Sequence, residues 1–418
     1  MANHRVFQGA ALALILVLAM AAAVWQPEVK AAPVNLTFVG QTGYDELIDE
    51  FQRLNPDIKV TYIPVSGGYL EILSKVTIMA ASGVPVDVFW IHSYSFGDYL
   101  EANLLYPLNE LIAKDKQFDI NAYLQPTVRE FTRNNNIYAL PRETSSTVVY
   151  YNLDMFDQVG LKYPARDWTF DDLLQILKKL TTEQPKPRWG MHLPYRHATM
   201  LPFIWGFGAD IVSADRTKAT YDSKETVAAL QWLLDLKYRY KVASIDQDIW
   251  SYGNFQNAFA AGAIGMFVDA PYMTARLSQN MKWDVAHIPA GPAGRFTRIA
   301  GSAHSISKTT KHLEQAWRLL RFLSGEPGQK ALSAAFGVMP ALRQLATDWI
   351  LSDPKPNPAN KLVFVEAFAY GRPEPITSNW GKFIEREWAY LGPVFKAEKS
   401  LGEVVSELTR ELTGIIHQ

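Results

Sequence analysis

The stretch from Ile137 to Leu180, IYALPRETSSTVVYYNLDMFDQVGLKYPARDWTFDDLLQILKKL, contains the clearest local structure signals of this chain. Within it, the apolar run VVYY predicts a short buried strand, and Asn152 directly after the run is a common turn residue. Thr169 is predicted to be the N-cap of a helix, and the spacing of Trp168 and Leu173 around it matches a hydrophobic staple. The stretch therefore predicts a strand, a turn and a capped helix, in that order.

Length and composition indicate a globular chain of two or three domains. The chain has 418 residues, of which 48 % are hydrophobic and 20 % charged, and this excludes a disordered or collagen-like protein. Its 41 basic and 42 acidic residues give a formal net charge of −1, so no nucleic-acid partner is expected. The absence of cysteine excludes disulfides, thiolate nucleophiles and Cys-ligated zinc. The eight histidines show no His-x-x-x-His spacing, and neither a metal nor a cofactor is expected.

The N-terminus has the pattern of a secretory signal. His4 and Arg5 precede an apolar run over 9–25, and the string VKA at 29–31 matches a small-x-Ala cleavage site. Residues 1–31 are therefore predicted to form a cleaved signal peptide. The alternative is a retained membrane anchor, because the run is close to the length of a short membrane span. Since no cysteine is available for a lipid anchor, the mature protein is expected to be a diffusing periplasmic protein.

The predicted mature chain begins with alternating strands and helices. Apolar periodicity predicts strands at 34–38, 58–62 and 86–91, with helices at 44–54 and 69–81 between them. This order implies a parallel sheet covered on both faces. In such sheets, ligands bind beyond the carboxyl ends of the strands. We therefore expect residues 41–43 and 92–94 to lie near one rim.

A second α/β unit is predicted further along the chain. The segment 211–300 repeats the pattern, with strands predicted at 263–268 and 283–288. An amphipathic helix is predicted over 313–323. The stretch DPKPNP at 353–358 is too rich in proline for a helix and has the composition of a linker.

Several strings resemble, in the same order, the signature of the extracellular carbohydrate-binding proteins that supply ABC importers. Residues 137–180 resemble the family pattern "YalP…YNkdlFdkaGl…P.tWtwddl". FQNAFAAGAIGMFVDAP at 255–271 resembles its "F..GkaAM…GpW", and WDVAHIPAGP at 283–292 resembles its "wdvaplP.gp". Each string is loose, but their shared order is specific. The resemblance extends over about 35–380 and is nearest to the maltose-binding members of the family, carbohydrate-binding family 1.

The resemblance implies an α/β, periplasmic-binding-protein-like fold of the class II type, with two α/β lobes joined by a hinge of several crossings. The implied lobes are 33–141 plus 303–352 and 145–300 plus 359–418. The chain is expected to cross between them near 141–145, near 300–305 and at the proline stretch. In such an arrangement, the hinge absorbs the backbone change while two rigid lobes close.

The resemblance also implies a set of ligand-binding residues at the facing rims of the lobes. Glu143 is expected to accept hydrogen bonds from sugar hydroxyls, and Tyr272 stands where the family usually has a stacking Trp. The full implied set is Trp90, His92, Tyr94, Glu143, Tyr195, Asp269, Tyr272 and Trp380. Each could instead have a structural role: the aromatic rings could pack in the core or against a loop, Glu143 could be a solvated charge, and Asp269 could cap its strand.

The implied function is that of a monomeric solute receptor, which captures a carbohydrate and delivers it to the permease subunits of an ABC importer without chemical change. Two alternatives remain open from the residues. A phosphorylated polyol could be clamped by arginines near the predicted rims; these are Arg142, Arg196, Arg298 and Arg372. A secreted glycosidase would need a pair of carboxylates, and no local motif pairs any two of the candidates, which are Glu143, Asp210, Asp269, Glu385 and Glu387.

Overall fold

The computed structural model of the protein describes residues 32–183 and 187–418. The predicted signal peptide, residues 1–31, lies outside the described residues. Where the structure describes the chain, strands alternate with helices and assemble into two main sheets. The predicted α/β class is therefore confirmed. No helix in the described ranges is both long enough and apolar enough to span a membrane.

The elements are numbered in chain order within the described residues. The strands are β1 Val34–Gln41, β2 Ile58–Val65, β3 Val88–His92, β4 Thr132–Arg133, β5 Asn136–Ile137, β6 Ala139–Ser146, β7 Val148–Asn152, β8 Trp189–His192, β9 Ala243–Ser244, β10 Ile264–Asp269, β11 Trp283–Ala286, β12 Thr297–Ile306, β13 Met339–Pro340 and β14 Gly371–Pro373. The α-helices are α1 Asp45–Leu54, α2 Tyr69–Ala81, α3 Phe96–Glu101, α4 Asn109–Lys114, α5 Gln125–Glu130, α6 Leu153–Gln158, α7 Phe170–Leu180, α8 His197–Gly206, α9 Lys224–Tyr238, α10 Phe255–Ala260, α11 Leu313–Ser324, α12 Glu326–Phe336, α13 Arg343–Ser352, α14 Val363–Glu366, α15 Trp380–Phe395 and α16 Leu401–Ile416.

The larger sheet has the strand order β13-β6-β12-β3-β1-β2, with β14 paired to β12. β1 pairs in parallel with β2 and β3, as the strand–helix–strand pattern predicts. Successive residues of β1 point to opposite faces. Phe38 lies in a core cluster on one face, and Val39 lies in a different cluster on the other. The sheet is therefore covered on both sides, as predicted.

The smaller sheet has the strand order β11-β7-β10-β8-β9. β8, β9 and β10 are parallel to one another, whereas β7 runs antiparallel to both of its neighbours, β10 and β11. Tyr150 on β7 stacks on Phe267 of β10, with ring centroids 4.7 Å apart. Because β8, β9 and β10 are parallel, their carboxyl ends meet at one edge of the sheet.

The quoted stretch folds as its residues predict. Asn152 ends β7 and caps α6, its Oδ1 accepting a hydrogen bond from the backbone N–H of Met155 at 3.1 Å. Thr169 caps α7: its hydroxyl accepts from the backbone N–H of Asp172 at 3.2 Å, and the Asp172 carboxylate accepts from the backbone N–H of Thr169 at 2.9 Å. This reciprocal pair is a capping box. The predicted N-cap is confirmed.

The chain passes between the two sheets at Thr147, over 287–296 and over 374–379. All three crossings differ from the expected positions near 141–145, near 300–305 and in the proline stretch. The first lies after β6, which extends to Ser146. β12 is hydrogen-bonded to β6 from Ile299 onward, so 297–300 and 145–146 lie in the larger sheet rather than in the predicted second lobe. β14 also joins the larger sheet, through β12. The extended pairing displaces the crossings, because a hydrogen-bonded strand cannot leave its sheet within the paired residues.

The proline stretch 353–358 connects α13 to α14 instead of crossing between the sheets. Ile350 of α13 and Phe364 of α14 both lie in a core cluster with Tyr150 and Phe267 of the smaller sheet. Met339 of the larger sheet belongs to the same cluster. This shared cluster packs the two sheets against each other beside the crossings.

Candidate functional site

A cavity of about 270 Å³ lies where the two sheets face each other. The larger sheet contributes residues at the end of β3 and along β6 and β12. The smaller sheet contributes the turn after β10, and α13 contributes one aromatic ring. The lining residues are His92, Tyr94, Glu143, Thr144, Ser145, Pro271, Tyr272, Arg298, Ala300, Gly301, Gly337, Val338, Met339 and Trp349.

Glu143 brings a carboxylate to the cavity from β6. The guanidinium of the neighbouring Arg142 donates to it from Nε at 2.8 Å and also from Nη2. Arg142 is itself buried, with its Nη1 donating to the Tyr44 hydroxyl at 2.6 Å and to Gln41 at 3.1 Å. Both donors contact the same oxygen, Oε2, so the ion pair anchors one side of the carboxylate. Glu143 can therefore present its remaining lone pairs to hydroxyl groups in the cavity.

His92 and Tyr94 form the rim that follows β3. Burial lowers the pKa of His92 to about 4, so the ring is neutral near neutral pH. Its Nδ1 accepts a hydrogen bond from the backbone N–H of Tyr94 at 3.1 Å. The proton of the neutral ring is therefore on Nε2, which can donate to a ligand hydroxyl. The rings of His92 and Tyr94 pack edge to face with centroids 5.0 Å apart.

Tyr272 supplies the opposite wall from the turn after β10. Its side chain is 51 % exposed, and the Arg276 guanidinium lies over its ring at 5.0 Å. Asp269, the last residue of β10, accepts a hydrogen bond from the backbone N–H of Ala270 at 2.8 Å. Burial raises the pKa of Asp269, and the hydroxyl of Tyr272 opposes that rise. Asp269 therefore braces the turn that presents Tyr272, while the Tyr272 ring itself faces the cavity.

Arg298 forms part of the cavity lining from the edge of β12. It is ion-paired to Glu374, and its Nη2 donates to the Tyr94 hydroxyl at 2.8 Å. The Tyr94 hydroxyl in turn donates to Glu374 at 3.2 Å. Glu374 belongs to the crossing 374–379, and both charged side chains are buried. The cavity wall is thus tied to a segment that joins the two lobes.

Glu374 continues this arrangement into the packing of α8 and α15. Its Oε2 accepts from Nε2 of His197 at 3.0 Å and from Nε1 of Trp380 at 3.0 Å. His197 is bonded through Nδ1 to Glu387 at 2.8 Å, and Glu387 also accepts from the Tyr221 hydroxyl. Although burial disfavours its charge, the flanking Glu387 and Glu374 raise the pKa of His197 to about 10. We call Arg298, Glu374, His197 and Glu387 the charge quartet; its two cations balance its two anions.

The raised pKa of His197 predicts a pH dependence of stability. Because the folded pKa lies above the unfolded value of about 6.5, the stabilisation from the charged ring is fully present below about pH 6.5. It is lost as the pH rises through about 10. The stability difference between the wild type and His197→Gln is therefore expected to narrow between neutral pH and about pH 10. Urea unfolding at a series of pH values checks this, and a difference that stays constant would contradict it.

The structure brings His92, Tyr94, Glu143 and Tyr272 together around the cavity, with Asp269 supporting Tyr272. The remaining predicted residues lie elsewhere. The Trp90 ring is 3 % exposed, and its Nε1 donates to the Ser302 hydroxyl at 2.9 Å. Tyr195 is 5 % exposed and packs against Trp388 and Phe395.

Trp380 has no exposed surface and stacks on Phe383 at 4.6 Å. In this arrangement the Trp380 ring packs the core of its lobe and orients Glu374, so it does not line the cavity as a stacking ring would. The string PITSNW does not indicate that Trp380 is buried, because the groups that the ring contacts come from distant parts of the chain.

Trp349 is the aromatic ring of the cavity that sequence reasoning missed. It lies on α13 and lines the cavity together with Met339. Ala346 and Ile350 of the same helix are buried, so Trp349 occupies the border of the packed face. No sequence pattern separates such a border residue from an ordinary packing residue. Only the placement of α13 against the smaller sheet brings the ring to the site.

The described ranges contain no group of three or more His, Cys, Asp or Glu side chains placed to hold a metal ion. The cavity combines aromatic faces with hydrogen-bonding groups that the protein itself holds in position. Residues 37–330 match the family model of the bacterial extracellular solute-binding proteins. The chain belongs to this family. The resemblance inferred from the ordered strings is thereby confirmed.

Relatives of this solute-binding protein share most of its length. A putative binding protein of Brucella abortus is 24 % identical over 392 residues, which cover 91 % of each chain. The arabinooligosaccharide-binding protein of Bacillus subtilis is 25 % identical over 74 % of each chain. The solved structure of an ABC substrate-binding protein from Listeria monocytogenes in complex with cycloalternan is 25 % identical, has a TM-score of 0.73, and covers 92 % of this chain and 99 % of that one. The predicted two-lobed, periplasmic-binding-protein-like fold is confirmed.

Proposed function

We propose that this protein captures a neutral sugar or oligosaccharide in the cavity and delivers it to the membrane permease of an ABC importer. The observation that carries the proposal is the cavity lining, which combines the rings of Tyr94, Tyr272 and Trp349 with the Glu143 carboxylate and the His92 ring. A pyranose presents C–H faces that pack on aromatic rings, and hydroxyls that bond to planar polar groups. The ligands in the names of two relatives, arabinooligosaccharide and cycloalternan, are both carbohydrates and support this class.

The ion pairs that the arginines form favour a neutral ligand over a phosphorylated polyol. Each of the four arginines considered for a phosphate clamp already has a carboxylate partner. The pairs are Arg142–Glu143, Arg196–Asp246, Arg298–Glu374 and Arg372–Asp210. A phosphate would have to compete with these carboxylates for the same donors. The ion pairs therefore favour a ligand without charge.

The placement of the carboxylates supports binding without catalysis. A glycosidase needs two carboxyl groups on either side of the scissile bond. Of the five candidates weighed from the sequence, Glu143 lines the cavity and Asp269 braces the Tyr272 turn. Asp210 is paired with Arg372, and Glu387 is held by His197. Among the residues that line the cavity, Glu143 is the one carboxylate, and this supports binding rather than hydrolysis.

The proposed delivery step uses closure of the two lobes over the ligand. The lobes follow the two sheets, and the crossings at Thr147, 287–296 and 374–379 form the hinge. A ligand that contacts both lobes binds the closed form more tightly and shifts the population toward it. We propose that the protein acts as a periplasmic monomer and that the permease recognises the closed form.

Calorimetric titration with a panel of mono- and oligosaccharides tests the proposal. At least one neutral sugar is expected to bind, and raising the salt concentration is expected to change its Kd little, because no exposed charge pair is formed. Tyr272→Ala is expected to weaken binding by about ten-fold, since the wall that packs on the sugar is lost. Ile78→Ala is the control, because Ile78 is an exposed apolar residue on α2 and does not line the cavity.

Two results would contradict the proposal. One is the absence of heat with every sugar of the panel from protein that is folded by circular dichroism. The other is preferential binding of a glycerol phosphate ester that salt weakens strongly, because that would establish the phosphorylated-polyol alternative.

A further inference from the structure

Trp250 is the most exposed large apolar side chain in the described part of the protein, at 78 %. It lies on the short 3₁₀ helix Asp246–Tyr252, which follows β9 directly. Its neighbour Ile249 is buried and anchors this helix to the core cluster that contains Phe267. The packing of Ile249 fixes the 3₁₀ helix, and the helix holds the Trp250 ring in a solvent-exposed position. A single exposed Trp is common on protein surfaces. A function for Trp250 can therefore be inferred only from the residues around it.

The position of Trp250 continues the row of aromatic residues that starts at the cavity. β10, β8 and β9 are adjacent parallel strands, in that order. Tyr272 follows the carboxyl end of β10, Tyr195 follows that of β8, and Trp250 follows that of β9. Neighbouring strands lie about 4.8 Å apart, so the outer two strands of the three are separated by roughly 10 Å. The two exposed rings, Tyr272 and Trp250, therefore lie along one edge of the smaller sheet.

Polar groups lie near Trp250, because Asp246 begins the 3₁₀ helix that carries Trp250 four positions later. The Asp246 carboxylate is bonded by Arg196 at 2.6 Å and lies 3.4 Å from Nε2 of His192. It is about half exposed, and hydrogen bonding from His192 helps to hold its pKa well below the usual range. The hydroxyl of the buried Tyr195 accepts a hydrogen bond from the backbone N–H of Asp246 at 3.3 Å. The carboxylate is therefore fixed, charged and open to solvent.

The Arg196 guanidinium completes this cluster. It lies over the ring of Trp388 at 5.9 Å and over that of Tyr195 at 5.8 Å. Trp388 is 37 % exposed. An exposed ring next to a fixed carboxylate and a guanidinium offers the same combination of groups that the cavity offers to a pyranose.

We infer that Trp250, Asp246 and Arg196 form a second carbohydrate subsite, which binds a sugar ring of the same ligand whose first ring lies against Tyr272. This inference rests on the proposed function and names its substrate class: an oligosaccharide that extends from the cavity along the carboxyl edge of the smaller sheet. Trp250 stacks on the outer ring, and Asp246 accepts hydrogen bonds from its hydroxyls.

Calorimetry with saccharide ladders tests the inference. The probes are malto- and arabino-oligosaccharides of increasing length together with their monosaccharides, and a glycan array of mono- to hexasaccharides widens the panel. Trp250→Ala is expected to weaken binding of the longer saccharides by about ten-fold and to leave binding of the shortest bound saccharide unchanged. Trp250→Phe keeps a stacking face and is expected to retain most of the affinity. Ile78→Ala controls for removal of an exposed apolar side chain from α2, which connects two strands of the larger sheet.

Each remaining outcome counts against the inference. Equal affinity of the wild type and Trp250→Ala for every saccharide would overturn the subsite and leave the proposed function intact. An equal loss of affinity for saccharides of every length would also overturn the subsite, because a subsite affects only ligands that reach it. The same holds if the wild type binds monosaccharides alone. If the wild type binds no saccharide on the array, the proposed function and the subsite both fail.

Discussion

Replacing His197 by alanine is expected to lower the free energy of unfolding by roughly 3–5 kcal/mol, the usual cost of removing one partner from a buried charge pair. The charge quartet is neutral only while His197 carries its proton between Glu374 and Glu387. Without the imidazolium, two buried carboxylates share a single cation, Arg298. Urea unfolding followed by circular dichroism near neutral pH measures the loss.

Two controls separate the lost charge pair from other effects of the substitution. His312→Ala removes an exposed histidine and is expected to change the free energy of unfolding by no more than about 0.5 kcal/mol. The double variant His197→Gln, Glu387→Gln removes one cation and one anion, and it is expected to be more stable than His197→Ala. A destabilisation by His197→Ala that matched the His312 control would contradict the importance of the quartet.

The quartet also connects stability with the proposed movement of the lobes. Glu374 lies in the crossing 374–379, and it contacts Arg298 of the larger sheet and His197 of α8. Further contacts hold the same crossing: the backbone N–H of Asn379 donates to Asp98 at 2.7 Å, and the Ile376 carbonyl accepts from Arg216 at 2.6 Å. These contacts tie the crossing 374–379 to both lobes, so the charge quartet is expected to affect the proposed closure as well as stability.

The sequence predicted those features that depend on neighbouring residues. The N-cap at Thr169 was recognised from the residues next to it, and the parallel strands β1 to β3 follow from apolar periodicity. The order of the family strings predicted the fold, although each string alone was weak. In all these cases, the information lies within a short segment or in the order of segments along the chain.

The features that sequence reasoning missed depend on contacts between distant segments. Trp380 is buried because Glu374 and His197 meet it in the core, and His197 is 177 residues from Glu374. Trp349 reaches the cavity because α13 packs on the smaller sheet, although it was assigned to the other lobe. The crossing before β12 was misplaced because the β6–β12 pairing continues past the predicted boundary. The apolar periodicity of one segment does not encode such contacts, because they depend on which distant segment packs against it in the folded protein.

Replacing Glu143 by alanine is expected to weaken sugar binding by about ten- to hundred-fold, because hydrogen bonds to a charged group contribute roughly 1.5–3 kcal/mol. Two effects add up. The ligand hydroxyls lose their carboxylate acceptor, and the buried Arg142 keeps Tyr44 and Gln41 but loses its counter-charge beside the cavity. Calorimetry with the sugar that the wild type binds measures the loss of affinity.

Matched variants separate these two effects of Glu143→Ala. Glu143→Gln keeps the shape and one acceptor oxygen, so it is expected to retain more affinity than the alanine variant. Adding Arg142→Met to Glu143→Ala removes the unpaired cation, and thermal unfolding is expected to show recovered stability without recovered binding. If Glu143→Ala remained folded and bound the sugar as tightly as the wild type, the ligand would have to lie away from β6. The role of the cavity would then be wrong, even though the family of the protein would stand.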